Sequence, residues 1–221
     1  ATLTEGDAAR VLASGGRHLL ESFWGRYVAF MRDTATDEIR VLRDPSGGLP
    51  CYFTAHRGVT IFFSQIDDCI GLGVTSFSVN WKYMAACVSL IELKINETGL
   101  NEVQELLQGQ LATVDRGAVS LSQSWDPVEI ARAQVLEDPG QATTEASRIV
   151  KKCVQAWANG HDGALVALSG GLDSSIVLRT LALYASGTRV IAFNNVVGAG
   201  SRCDERHFAR IAVDRKSTRH L

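Results

Sequence analysis

The chain has 221 residues, of which 46% are hydrophobic and 21% are charged, and its formal net charge is −2 at pH 7. This composition is typical of a globular protein with one large domain or two small ones, and it excludes a disordered or fibrous chain. Because acidic and basic residues nearly balance, we expect no nucleic-acid partner.

The amino-terminal residues 1–7 contain neither the basic part nor the apolar part of a secretory signal. The longest apolar stretch, residues 83–93, contains Glu92 and is much shorter than a membrane span. The five cysteines form no C-x-x-C pair, which favours reduced thiols over disulfides or a zinc site. The sequence therefore predicts a cytoplasmic protein with no membrane partner.

The first half of the chain contains short runs rich in β-branched and aromatic residues, which predict an antiparallel sheet. The predicted strands are residues 26–31, 38–42, 49–53, 59–63, 110–114 and 118–122. Residues 44–48 and 115–117 have the composition of turns. Residues 80–90 predict a helix with several apolar side chains in the core. These are Trp81, Tyr83, Met84 and Val88.

The second half has the order of an α/β domain. Residues 127–141 carry Pro, Gly and acidic residues and are predicted as a linker, and residues 142–158 have the apolar spacing of a helix. Two short apolar runs predict buried parallel strands, and two further segments predict helices. The strands are residues 164–168 and 189–193, and the helices are residues 174–185 and 204–215. Asp204 is predicted to cap the last helix, and the alternative is that it faces the nucleotide site. This order predicts a doubly wound parallel sheet, of which the chain contains two strands.

Between the first buried strand and the next helix lies the sequence Ser169-Gly170-Gly171-Leu172-Asp173-Ser174-Ser175. The glycines lack a Cβ, so backbone N–H groups can approach a polyphosphate, and the helix start adds N–H groups and partial positive charge. The serines add hydroxyl donors, and Asp173 is suited to hold Mg²⁺ against phosphate oxygens. Neither the Walker A pattern nor the dinucleotide fingerprint is present, which favours cleavage between the α and β phosphates over γ-phosphoryl transfer. The alternative is a turn that only caps a core helix.

This motif resembles the pyrophosphate loop of the ATP pyrophosphatases, and its leucine resembles the asparagine synthetase branch in particular. The first half resembles that family's amino-terminal glutamine amidotransferase domain, of the Ntn type, in residues 25–30 and in Arg43-Asp44 followed by Leu49-Pro50-Cys51-Tyr52. The resemblance implies an α+β amidotransferase-like domain over residues 1–126, without its start and nucleophile. It also implies a linker over 127–141 and the first, incomplete part of an α/β pyrophosphate-loop domain over 142–221.

By this resemblance, the protein is an ATP-dependent amide synthetase that forms AMP and pyrophosphate through an acyl-adenylate. The implied substrates are a small-molecule or peptide carboxylate and an amine, which is glutamine-derived ammonia or a peptide amino terminus. Ser169 and Asp173 are the implied catalytic residues, and Asp173 is the implied Mg²⁺ ligand. The residues implied to bind ATP are Leu168, Ser169, Gly170, Gly171, Asp173, Ser174, Ser175 and Asn195.

Three features depart from the family pattern. The family nucleophile is an amino-terminal cysteine, whereas this chain begins with Ala1 and Cys51 is predicted to be structural, so we expect no glutaminase activity. The chain contains only the first strands of the synthetase sheet, so it is expected to be either part of a longer protein or a truncated remnant that binds nucleotide without catalysis. Residues 41–52 and 203–209 resemble the branch that closes lasso-peptide macrolactams, which is the other alternative.

Overall fold

The computed structural model describes residues 3–73, 75–90, 94–133, 135–185, 187–195 and 205–214. The chain divides into two compact units, Ala1–Ala133 and Gln134–Leu221. In the described part of the chain, no helix has both the length and the apolar character needed to cross a membrane.

Two helices that sequence patterning did not predict open the first unit, α1 (Glu5–Ala13) and α2 (Arg17–Ser22). The Thr4 hydroxyl accepts a hydrogen bond from the Asp7 N–H at 3.2 Å, and the Asp7 carboxylate accepts one from the Thr4 N–H at 3.1 Å. This reciprocal pair is a capping box, which fixes the start of α1. The Thr4 and Asp7 spacing was therefore the sequence signal for this helix.

The rest of the first unit is built mainly from antiparallel strands, as predicted, but these strands form two sheets and not the one sheet expected. The strands are β1 (Val28–Arg32), β2 (Ile39–Arg43), β3 (Tyr52–His56), β4 (Val59–Phe63), β5 (Gln104–Glu105), β6 (Gln110–Asp115) and β7 (Ala118–Gln123). One sheet has the order β1-β2-β6-β7 and the other has the order β4-β3-β5. The predicted turn at 115–117 connects β6 to β7, with Arg116 and Gly117 both at positive φ, as a tight hairpin requires.

The alternation of side chains along β2 places the four-stranded sheet between two apolar layers. Val41 packs with Phe53 of the other sheet, whereas its neighbour Leu42 packs with Val11 of α1 and Leu19 of α2. The described elements therefore stack as helices on sheet on sheet. This arrangement is consistent with the predicted Ntn-type domain.

The part of the first unit that the structure describes has three further helices, α3 (Ile66–Gly71), α4 (Trp81–Ser89) and α5 (Pro127–Ala133). The predicted helix at 80–90 is confirmed, since Asn80 caps α4 by accepting a hydrogen bond from the Tyr83 N–H. The predicted packing of this helix is wrong, because Trp81 is 75% exposed and Val88 is 83% exposed. Periodicity identifies an apolar face, but only tertiary contacts decide whether that face is covered.

The stretch predicted as a linker is mostly helical, because it contains α5 and the beginning of α6 (Pro139–Ala158). Each of these helices begins at an Asp-Pro pair. The Asp126 carboxylate accepts from the Val128 N–H at 2.8 Å, and the Asp138 carboxylate accepts from the Gln141 N–H at 2.9 Å. Proline suits the first position of a helix after such a cap, so residues that indicated a break instead start two helices. The limits of the domains themselves stay a prediction.

The described residues of the second unit form a two-stranded parallel sheet and three helices. After α6 come β8 (Gly163–Ala167), α7 (Leu172–Tyr184), β9 (Arg189–Phe193) and α8 (Arg206–Asp214). The parallel pairing runs from Gly163 opposite Arg189 to Ala167 opposite Phe193. The predicted parallel strands are therefore confirmed, and the predicted cap Asp204 lies outside the described residues.

One face of this sheet carries the core of the second unit. Val166 and Ala192 pack there with Ala158 of α6, Leu178 of α7 and other buried residues, including residues of α8. On the opposite face, the Leu165 side chain is 72% exposed. The described helices thus lie on one face of the sheet, so the doubly wound arrangement stays a prediction.

Candidate functional site

The Ser169–Ser175 loop, hereafter the loop, begins where β8 ends. Leu168, the residue before it, is 2% exposed, and its N–H donates to the Phe193 carbonyl at 2.8 Å. The loop thus lies at the carboxyl end of the parallel strands, which is where ligands bind in open α/β sheets. Helix α7 begins at Leu172, two residues earlier than predicted, and this places Asp173 in its first turn.

Gly170 can be replaced by no other residue without strain. Its φ is +100°, a conformation that residues with a Cβ rarely adopt. A Cβ at this position would lie 2.8 Å from Phe208 Cβ and 2.9 Å from Ala209 N. The glycine therefore allows the loop to pack directly against the beginning of α8.

The loop serines form hydrogen bonds within the loop. The Ser169 hydroxyl accepts from the Gly171 N–H at 3.3 Å and lies 3.1 Å from the Ser174 hydroxyl. The Ser175 hydroxyl donates to the Gly171 carbonyl at 2.7 Å. Because these groups come from the loop itself, they hold its shape without filling the space in front of it.

The first N–H groups of α7 point to an anion site. Among the residues that the structure describes, no acceptor meets the N–H groups of Leu172, Asp173 or Ser174, and the first bonded N–H is that of Ser175, to Gly171 O. Gly171 occupies the N-cap position and has no side chain to satisfy these donors. A helix of 13 residues adds partial positive charge at the same end. Such a helix start favours a phosphate group.

Asp173 is exposed and, within the described part of the chain, makes no hydrogen bond or ion pair. No group of three or more His, Cys, Asp or Glu side chains in that part could hold a metal ion. Within the loop, Asp173 is the carboxylate that could bind a cation. This donor set fits Mg²⁺, which commonly binds through one or two carboxylates together with phosphate oxygens and water.

Two asparagines follow β9 at the same edge of the sheet. Asn195, which the sequence indicated as a nucleotide contact, is exposed. Asn194, which it did not single out, donates from Nδ2 to the Leu168 carbonyl at 2.6 Å. The signal that could have identified Asn194 is its position directly after a parallel strand, where polar residues meet at the ligand-binding edge.

The motif residues of the first unit are structural. Arg43 is buried, and its guanidinium donates to the Glu105 carboxylate at 2.7 Å and to the Leu106 carbonyl at 2.6 Å. Cys51 is also buried, and burial raises the pKa of its thiol to about 11 despite the nearby Arg43 charge. A thiol with this pKa holds almost no thiolate at neutral pH, which agrees with a structural role.

Comparisons with known families match both halves of the chain. A family model for a glutamine amidotransferase domain matches residues 4–125, and one for asparagine synthase matches residues 147–221. No curated protein matches the chain significantly. The second match includes the whole loop and both parallel strands, and the first includes both antiparallel sheets.

Proposed function

Because the chain belongs to the asparagine synthetase family, we propose that it is an ATP-dependent amide synthetase that releases AMP and pyrophosphate. The two family matches support a ligase that combines an amidotransferase domain with a synthetase domain. The observation that carries the finer proposal is the loop. It presents unbonded N–H groups, serine hydroxyls and one free carboxylate at the carboxyl edge of a parallel sheet.

The proposed reaction has two steps. First, a carboxylate oxygen attacks the α-phosphorus of ATP, the bond from that phosphorus to the bridging oxygen breaks, and pyrophosphate leaves with the electron pair. Second, an amine nitrogen attacks the carbonyl carbon of the acyl-adenylate, loses a proton and expels AMP, which leaves an amide. The negative charge that develops on pyrophosphate is the charge that fixed N–H donors stabilise most.

The glycines, the serines and the aspartate of the loop each have a role in this proposal. Gly170 and Gly171 bring the backbone close to the pyrophosphate, and the hydroxyls of Ser169 and Ser174 donate to it. Asp173 holds Mg²⁺, which would neutralise phosphate charge when bound. The remaining predicted ATP contacts, with Leu168, Ser175 and Asn195, flank these groups. The Leu168 N–H is already bonded to Phe193, so a contact from Leu168 would use its carbonyl oxygen.

The amine reaches the second step in one of two ways. Ammonia would come from glutamine, as in the family to which the chain belongs, and Cys51 is not the nucleophile for that reaction because its thiol is buried and protonated. Alternatively, the amine is the amino terminus of a peptide, as in lasso-peptide closure. The resemblance to that branch depends partly on Cys203 and Asp204, which lie outside the described residues.

The test is Mg-ATP binding by calorimetry followed by pyrophosphate release, with the wild-type chain, Asp173→Ala and Asp162→Ala. Asp162 is the matched control, since it is an exposed aspartate at the opposite end of β8. We expect Asp173→Ala to weaken Mg-ATP binding about 100-fold or more, and Asp162→Ala to leave it unchanged. Equal affinity of the wild type and Asp173→Ala for Mg-ATP would contradict the proposal that the loop binds Mg-ATP.

Pyrophosphate release separates the three interpretations. Release with free amino acids and ammonia would identify a small-molecule amide synthetase. Release that requires a peptide with an Asp or Glu side chain would identify the macrolactam-forming alternative. Mg-ATP binding with no release under either condition would identify a nucleotide-binding remnant and contradict the proposed activity.

A further inference from the structure

The two parallel strands are joined beyond their last ladder pair by a side chain. In a parallel ladder, every second residue of a strand donates its N–H to the carbonyl before its partner and accepts at its carbonyl from the N–H after its partner. The last pair of the ladder is Ala167 opposite Phe193, so the next residues in the same register are Leu168 and Asn194. The Leu168 N–H follows the rule and donates to the Phe193 carbonyl at 2.8 Å.

The Leu168 carbonyl departs from the rule. It accepts from the side-chain Nδ2 of Asn194 at 2.6 Å, and no backbone bond joins it to Asn195 among the described residues. A carbonyl oxygen can only accept, so the amide nitrogen of Asn194 is the end that faces it. The Asn194 side chain thus replaces the backbone hydrogen bond that the Asn195 N–H would donate to the Leu168 carbonyl in a regular ladder.

This bond acts on the residue from which the loop departs. The Leu168 side chain is buried, its N–H is held by Phe193, and its carbonyl is held by Asn194. The peptide before Leu168 is therefore held through its N–H, and the peptide between Leu168 and Ser169 is held through its carbonyl oxygen. From there the loop continues to Gly170, which packs against the start of α8.

We propose that Asn194 is a positioning residue, which fixes the Leu168 carbonyl and thereby orients the loop for pyrophosphate without contacting the phosphates itself. This inference rests on the proposed function. Aspartate at this position keeps the size of the side chain but sets a carboxylate oxygen against the Leu168 carbonyl. Two acceptors repel each other, so Asn194→Asp breaks the bond with little change in shape.

The matched control is Thr188→Ala. Thr188 precedes β9 at its other end and is also half-buried, and its hydroxyl lies within hydrogen-bond distance of the Ala158 and His161 carbonyls at 3.3 Å each. Both changes therefore remove side-chain bonds to backbone carbonyls at the ends of one strand. Of the two changes, only the one at Asn194 removes a bond to Leu168, the residue before the loop.

The first experiment measures binding of Mg-ATP and of Mg-pyrophosphate to the wild type, Asn194→Ala, Asn194→Asp and Thr188→Ala. We expect both variants of Asn194 to bind Mg-ATP and Mg-pyrophosphate more weakly by the same factor, about fivefold to tenfold. We expect Thr188→Ala to change neither affinity. A loss confined to Mg-ATP would mean that Asn194 contacts the nucleoside, and it would overturn the proposal. Unchanged binding of both ligands in a protein that binds Mg-ATP would also overturn it.

A second experiment needs no ligand, so it separates this inference from the proposed function. The amide NMR signals of Ser169, Gly170 and Gly171 in the ligand-free chain report the orientation of the loop. We expect these signals to shift in Asn194→Asp and to stay in place in Thr188→Ala. Unshifted loop signals in Asn194→Asp overturn the inference, whereas a wild type that binds neither ligand overturns the proposed function alone.

Discussion

Two glycine-containing turns, each with one aspartate, have opposite properties in this protein. In the turn after β2, Asp44 is fully buried and accepts from the Tyr27 N–H, the Ser46 N–H and the Ser46 hydroxyl. In the loop after β8, Asp173 is exposed and three N–H groups beside it meet no acceptor among the described residues. A turn that satisfies its own polar groups stabilises the fold, whereas one that leaves donors open can bind a ligand.

The largest effect is expected from Asp44→Ala. This change removes the acceptor of three donors in a buried site, so the free energy of unfolding should fall by about 3–5 kcal/mol. Urea unfolding followed by fluorescence measures this loss. A loss below about 1 kcal/mol would show that water satisfies these donors and would break the contrast between the two turns.

An intermediate effect is expected from Gly170→Ala. The left-handed backbone costs about 1–2 kcal/mol, and the close approach of Phe208 and Ala209 adds overpacking of about 1–3 kcal/mol. The control is Gly171→Ala, where φ is −72° and a Cβ would meet Ser169 Oγ at an ordinary 3.4 Å. Equal losses of unfolding free energy in both variants would contradict the proposed packing of the loop against α8.

The smallest effect on stability is expected from Asp173→Ala. Removing an exposed negative charge from the first turn of α7 costs about 0.3–1 kcal/mol, because that charge favours the helix start. Thermal unfolding without nucleotide checks this value. A loss as large as that of Asp44→Ala would mean that Asp173 serves the fold, and the two turns would then no longer differ in kind.

Signals close together in the chain predicted most of the fold. The alternating strands of the first half, the parallel strands of the second and the helix capped by Asn80 all appear in the structure. Two of the differences between prediction and structure concern helix starts. Periodicity alone misses the helix that Thr4 caps, and the Asp-Pro pairs at Asp126 and Asp138 start helices in a stretch whose composition predicts a linker. In each case a local cap was present, and its meaning depended on the residues that followed it.

The candidate site was predicted unevenly. The Ser169–Ser175 motif is contiguous, so its place between a strand and a helix follows from sequence alone. Asn194 lies 26 residues from Leu168, and only the parallel pairing of β8 with β9 brings the two together. The exposure of Trp81 could not be predicted from the sequence either, because periodicity does not tell whether another element covers the apolar face of a helix.

The sequence by itself determined most of the strands, the helices at 80–90, 142–158 and 174–185, and the glycine-containing loop, because each depends on residues that are neighbours along the chain. Only the tertiary structure decided which aspartate is buried, since the burial of Asp44 requires Tyr27, 17 residues away. It also decided that the Asn194 side chain bonds the Leu168 carbonyl just before the loop. The physical reason is the same for both, because a polar group becomes structural or available according to the distant groups that folding brings to it.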